Sequence, residues 1–216
     1  MPAAIASFAG TPASSTSALV ANMPSGIVAG DLLVCFSNLY ELNTNVATAT
    51  GWTAFGNSGW TSNAIMAQFV LYKTAAGGDT LTVNTAGTAI QSCGVVRITN
   101  HNGVDVSNGA NSGATSPTSI DAATVTSTGT GLIVVGLGDN SELIGSTTLT
   151  GYTSAGTWDS SAGVIFSKES VAAGSVSPGT MSPSAADSAL ATMTVAVRDA
   201  AAGPYIGYPL LNLRQI

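Results

Sequence analysis

Charge is the scarcest property of this 216-residue chain, with Asp, Glu, Lys and Arg making up 7% of it. Ordinary globular domains carry about 25%. Eleven acids against 5 bases leave a formal charge of −6. The bases Lys73, Arg97, Lys168, Arg198 and Arg214 are scattered. No cationic stripe is available to neutralise a nucleic-acid backbone or hold an anionic bilayer, so neither partner is expected. No apolar run reaches the ~18 residues of a spanning helix. The N-terminal MPAAIASFAGTPASS has no basic n-region and no long apolar stretch, so it is not expected to act as a signal peptide.

Groups that carry chemistry are equally sparse. His101 is the single histidine, and Cys35 and Cys93 are the two cysteines. A serine or cysteine nucleophile needs a base, and zinc needs more soft ligands than these supply. Both cysteines sit in strand-like apolar runs and are expected as buried free thiols. No Gly-x-Ser-x-Gly elbow and no Gly-Lys-Ser/Thr phosphate loop occurs. Most of Asp31, Asp79, Asp121, Asp139, Asp159, Asp187 and Asp199 adjoin Gly, Ser or Asn, as Asp31, Asp79, Asp139, Asp159 and Asp187 do, where they favour turns. Asp139 and Glu142 are close in sequence, yet the segment lacks the alternating oxygen ligands of a calcium loop. No catalytic, cofactor or metal residues are assigned, and the chain is expected not to be an enzyme.

Hydrophobic residues, by contrast, are plentiful at 45%, alongside 25 glycines. That apolar share argues against disorder despite the low charge. The chain also repeats itself. Gly30-Asp31-Leu32-Leu33-Val34-Cys35-Phe36 is answered by Thr130-Gly131-Leu132-Ile133-Val134-Val135-Gly136. Gly51-Trp52-Thr53-Ala54-Phe55-Gly56 is answered by Gly151-Tyr152-Thr153-Ser154-Ala155-Gly156, again about 100 residues on. The run ending at Lys73 matches the one ending at Lys168, and the closing strands around Val95 and Val195 agree. With Ser14-Ser15-Thr16-Ser17 facing Ser116-Pro117-Thr118-Ser119, these make five matches in the same order and point to two tandem copies of one unit.

Within each copy, short β-branched or apolar segments are bounded by Gly, Asn and Ser turns, with no sustained 3.6-residue period. Strands are predicted over 17–22, 32–38, 65–73, 80–84 and 92–99, then over 120–127, 132–137, 163–169, 175–181 and 190–198. The fold class is therefore all-β, as two tandem jelly-roll-like or immunoglobulin-like sandwiches. The runs at Leu32 and Leu132 are apolar on both faces, as central strands are. Trp52 and Tyr152 follow turn glycines and are expected to seal equivalent core edges.

This divides the chain into a first unit (1–100), a polar, glycine-rich linker (101–115), a second unit (116–202) and a tail (203–216). The tail carries Tyr205, Ile206, Tyr208, Leu210, Leu211, Leu213 and Ile216. So many apolar groups are costly to leave in water and are expected to dock on the chain's own body or on a neighbour. These seven residues are the candidate assembly contacts.

The pattern Ala29-Gly30-Asp31-Leu32-Leu33-Val34, then Gly51-Trp52-Thr53, then Phe69 to Asp79, then Val95-Val96-Arg97 resembles the β-sandwich modules of phage and prophage virion proteins. Those include head decoration, spike and tail-associated components. The resemblance spans about residues 5–200, and the second copy departs from it by carrying Tyr152 for Trp and by lacking the Gly-Asp pair. It implies a capsid decoration or cement protein located in the virion and made in the host cytoplasm. Its partners would be the major capsid protein or other virion subunits, together with copies of itself. No catalytic residues are implied. The alternative is a tail or receptor-binding module that recognises glycans, with Tyr40, Trp60 or Trp158 stacking on sugar rings. The absence of a heptad argues against a fibre.

Overall fold

The computed structural model describes residues 1–40, 46–59, 66–112, 117–139, 147–158, 163–183 and 189–201. All regular elements among them are strands. The first copy contributes β1 (Ala4–Val20), β2 (Leu32–Tyr40), β3 (Thr53–Asn57), β4 (Met66–Thr74) and β5 (Thr82–Thr99). The second contributes β6 (His101–Asn111), β7 (Ile120–Asp121), β8 (Val125–Ser127), β9 (Gly131–Asp139) and β10 (Thr153–Trp158). It continues with β11 (Gly163–Val171), β12 (Gly174–Val176), β13 (Thr180–Met181) and β14 (Leu190–Asp199).

Two five-stranded antiparallel sheets result, ordered β1-β5-β2-β4-β3 and β6-β14-β9-β11-β10. Replacing each first-copy strand by its counterpart converts one order into the other, so the duplication read from the sequence is also a duplication of topology. The registers agree in detail. Both edge hairpins carry a bulge at the same place, at Phe55 in β3 and Ala155 in β10. The preceding turns match as well, with Trp52 N donating to Ala49 O and Tyr152 N to Leu149 O. Gly51 and Gly151 hold these turns at φ 77° and 78°, a conformation in which any Cβ is strained.

Each central strand, β2 and β9, is buried along its whole length because it has a core on both faces. On one face Leu33, Cys35 and Leu39 pack under an outer layer of Leu19, Trp52, Leu81 and Val83. Ile133, Val135 and Leu137 pack likewise under Ile120, Val125, Leu149 and Met181. On the other face the two sheets meet, joining Leu32, Val34, Phe36, Val96 and Ile98 to Leu132, Val134, Met193, Val195 and Val197. The all-β, two-unit sandwich reading holds, with the units stacked face to face. At ~1.5–3 kcal/mol per fully buried aliphatic side chain, this shared core is a main source of stability.

Several expectations are corrected. Residues 101–111, read as linker, form β6, the edge strand of the second sheet paired along β14. Their polar, glycine-rich composition suits an edge that lies against another backbone, since a Cβ on Gly109 would collide with Asn57 and Ser58 of the first copy. β1 begins at Ala4, well before the predicted 17, and β5 fuses two predicted strands into one. β1 and β5 stay paired from the inner sheet into the outer layer by passing register shifts after Thr11 and Thr16. The second copy splits the same path, so the segments predicted at 120–127 and 175–181 become β7, β8, β12 and β13.

The contacts between copies are reciprocal. Gly10 of β1 lies against the backbone of Trp158, as Gly109 of β6 lies against that of Ser58. Such exchange is the mark of a two-fold relation. Bulk, however, is not shared equally. Phe36 packs on its own counterpart Gly136, and Asn38 on its counterpart Gly138. Within the sheets, Phe36 is opposite Gly94, whereas Gly136 is opposite Met193. Trp158, which stands where the first copy has Ser58, covers Gly94 and Gly163.

Candidate functional site

The predicted assembly contacts Tyr205, Ile206, Tyr208, Leu210, Leu211, Leu213 and Ile216 lie outside the described residues. Their point of departure is well defined. Ala3 N donates to Asp199 Oδ1 at 2.8 Å, and Ala200 N donates to Asn100 O at 2.8 Å. The N-terminus, the junction between the copies and the end of β14 therefore meet at one pole.

The candidate sugar-stacking aromatics are placed differently. Trp158 is 3% exposed and Tyr40 6%. The Trp158 indole N–H donates to Ser92 Oγ at 3.1 Å, and Tyr40 Oη shares a hydrogen bond with the same Ser92 at 3.2 Å. Both belong to a polar seam in the interior, in which Gln68 also donates to Asn38. Neither presents a face to a ligand, which corrects that expectation. Trp60 lies outside the described residues. Trp52 is buried and donates to Thr80 O at 3.3 Å, consistent with its core-sealing role.

The carboxylates hold backbone in place. Asp31 accepts from Val28 N at 2.9 Å and from Arg97 Nε at 2.6 Å. In the second copy Gly131 replaces Asp31, and Ala196, opposite Ile133 as Arg97 is opposite Leu33, replaces Arg97. Both halves of the ion pair are thus missing together. Asp79 accepts from Lys73 at 2.6 Å and from the N–H groups of Ala76 and Gly77. The Lys73 contact and those amides hold its carboxyl below the usual range, outweighing some desolvation. For Asp105, burial pushes the pKa up, but hydrogen bonds from Thr128 and Ser127 and the nearby Arg198 leave it lowered overall. Asp139 is buried, while Glu142 lies outside the described residues. Among the described residues no three His, Cys, Asp or Glu side chains gather to hold a metal ion.

Cys35 and Cys93 are buried free thiols. The contact with Cys93, together with burial, pushes the Cys35 thiol well above its ordinary value. It is protonated and inert at neutral pH.

Sequence reasoning missed a concave site among the described residues. A cleft of about 580 Å³ opens between β1 and the β10–β11 edge, near the pole where β14 ends. Ile5, Phe8, Thr153, Ala155, Ser167 and Lys168 line it. The corresponding place in the other half is filled by Phe55 and Tyr72, whose rings meet edge to face at 5.1 Å between centroids. The registers place Ala155 where the first copy has Phe55, and Ser167 where it has Tyr72. Loss of two rings leaves the opening. Both substitutions fall inside segments that align between the copies, so the signal was there to find. No family model, curated protein or solved structure matches the chain.

Proposed function

We propose that this is a non-catalytic structural protein of a phage particle, a decoration or cement protein on the outside of the capsid. The observation that carries the reading is the contrast between a closed body and the apolar segment beyond its last strand. The last strand ends at Asp199, tied to Ala3, and three further alanines lead to a segment with seven Tyr, Leu and Ile residues. Most large apolar side chains of the described strands are buried, and attachment to a capsid subunit is assigned to the apolar residues of that segment. A surface poor in charge and rich in Ser, Thr and Asn suits dense packing of many copies, where like-charge repulsion would otherwise accumulate.

The reading is tested by attachment. Particles lacking the chain are mixed with the full-length protein or with a form ending at residue 202, then sedimented. Full-length protein should co-sediment to saturation and the shortened form should stay in the supernatant. Equal co-sedimentation of both would remove the tail from attachment, and failure of both would remove the capsid as partner.

A further inference from the structure

We infer that the cleft between β1 and the β10–β11 edge is a binding site for a small, uncharged molecule built on one aromatic ring with a hydroxyl group, a phenol in class. The two halves of the molecule differ here at three corresponding positions. Ala155 and Ser167 stand where the closed half has Phe55 and Tyr72. The third position runs the other way. Phe8 is opposite Val96 and Ser107 is opposite its counterpart Val195, so Phe8 holds the place of Ser107. The glycines beneath agree, since a Cβ on Gly156 would meet the Phe8 ring as one on Gly56 would meet Ser107 Oγ. Phe8 thus puts one of the two lost rings back, and the cleft side is short of a single ring.

The lining suits such a ring. Ile5, the counterpart of Val104, and Phe8 form an apolar wall. A ligand ring beside Phe8 would restore a contact of the kind that Phe55 and Tyr72 make edge to face in the closed half. Ser7, Thr153 and Ser167 border the same space, and each hydroxyl can donate to or accept from a phenolic group. Ser7 Oγ donates to Ser25 O at 2.8 Å, which leaves it as an acceptor. Lys168 and Glu169 both reach the rim and cancel in charge, so the site favours a neutral ligand. Its volume, about 580 Å³, falls within the ~300–1,000 Å³ of small-molecule sites. The inference does not rest on a capsid partner.

Titration of the full-length protein with p-cresol, the tyrosine side chain as a free molecule, tests the assignment by NMR. The methyl resonances of Ile5 and Ala155 should shift and saturate, and the ligand's ring protons should show Overhauser contacts to Ile5. Absence of saturable shifts at these residues overturns the inference. Ala155→Phe with Ser167→Tyr, which installs the closed half's own rings, should abolish the binding. The wild-type contacts to Ile5 decide the matter even if that variant folds poorly. Cyclohexanol, a saturated ring of similar size, should bind more weakly, and equal binding would reduce the site to a non-selective apolar hollow. Benzoate or benzylamine binding more tightly than p-cresol would assign a charged ligand and overturn the neutral class.

Discussion

The ring of Phe36 lies on the backbone of Gly136, the residue that holds its own position in the second copy. Two phenylalanines could not occupy that place, and two glycines would leave a void. The same alternation recurs across the copies where Trp158 covers Gly94 and where Met193 approaches Gly56. The seam between the copies is therefore fitted to two different partners, even though the strand orders are identical.

A methyl group at this seam is felt at once. Gly136→Ala forces Phe36 out of its packed position and should lower stability by about 2 kcal/mol. Pairing it with Phe36→Leu, which withdraws bulk from the same place, should recover part of the loss. Denaturant unfolding midpoints of the two variants check this, and a fully additive loss would mean that the two residues do not share one space.

Separation of the copies tests the seam as a whole. Residues 1–100 and 101–201, produced apart, should each expose an apolar sheet face and fail to form a stable symmetric pair. Produced together, they should associate one to one. Analytical ultracentrifugation distinguishes these outcomes from stable homodimers of either half.

The Asp31–Arg97 pair should behave as a unit. Arg97→Ala leaves a largely buried carboxylate without its partner and should cost about 2–3 kcal/mol. Asp31→Gly with Arg97→Ala reproduces the second copy, which has Gly131 and Ala196, and should cost less than the sum of the single changes. A thermodynamic cycle over the four proteins measures the coupling.

Acid should weaken the fold through Asp79 and Asp105. Both have folded-state pKa values below their ordinary ones. Their contribution is complete above the unfolded carboxylate value of about 3.9 and is lost as pH falls through the folded value. Tm measured from pH 6 down to pH 2 should therefore fall, and Asp79→Asn and Asp105→Asn should each flatten part of that fall.

The parts of this architecture that were legible in the sequence are those where apolar residues face two cores. The runs at Leu32 and Leu132 could only be central strands, and the turns at Gly51 and Gly151 revealed the duplication. β6 and the first half of β1 were hidden because Gly10 and Gly109 must be small to approach the opposite backbone, and small polar residues look like loop. Gly136 and Gly138 were hidden for the same reason, as glycines inside strands whose purpose lies in the facing sheet. The cleft depends on β1 stacking over β10, a contact between copies that no spacing within either copy encodes. Its trace was the exchange of Phe55 for Ala155 and of Tyr72 for Ser167.

The most direct measurement of the functional proposal is quantitative mass spectrometry of intact particles purified from the host culture. The chain should be present at a fixed molar ratio to the major capsid protein, and the ratio should survive repeated density-gradient purification. Its absence from particles, or a ratio that drifts toward zero with each purification, would contradict a virion role.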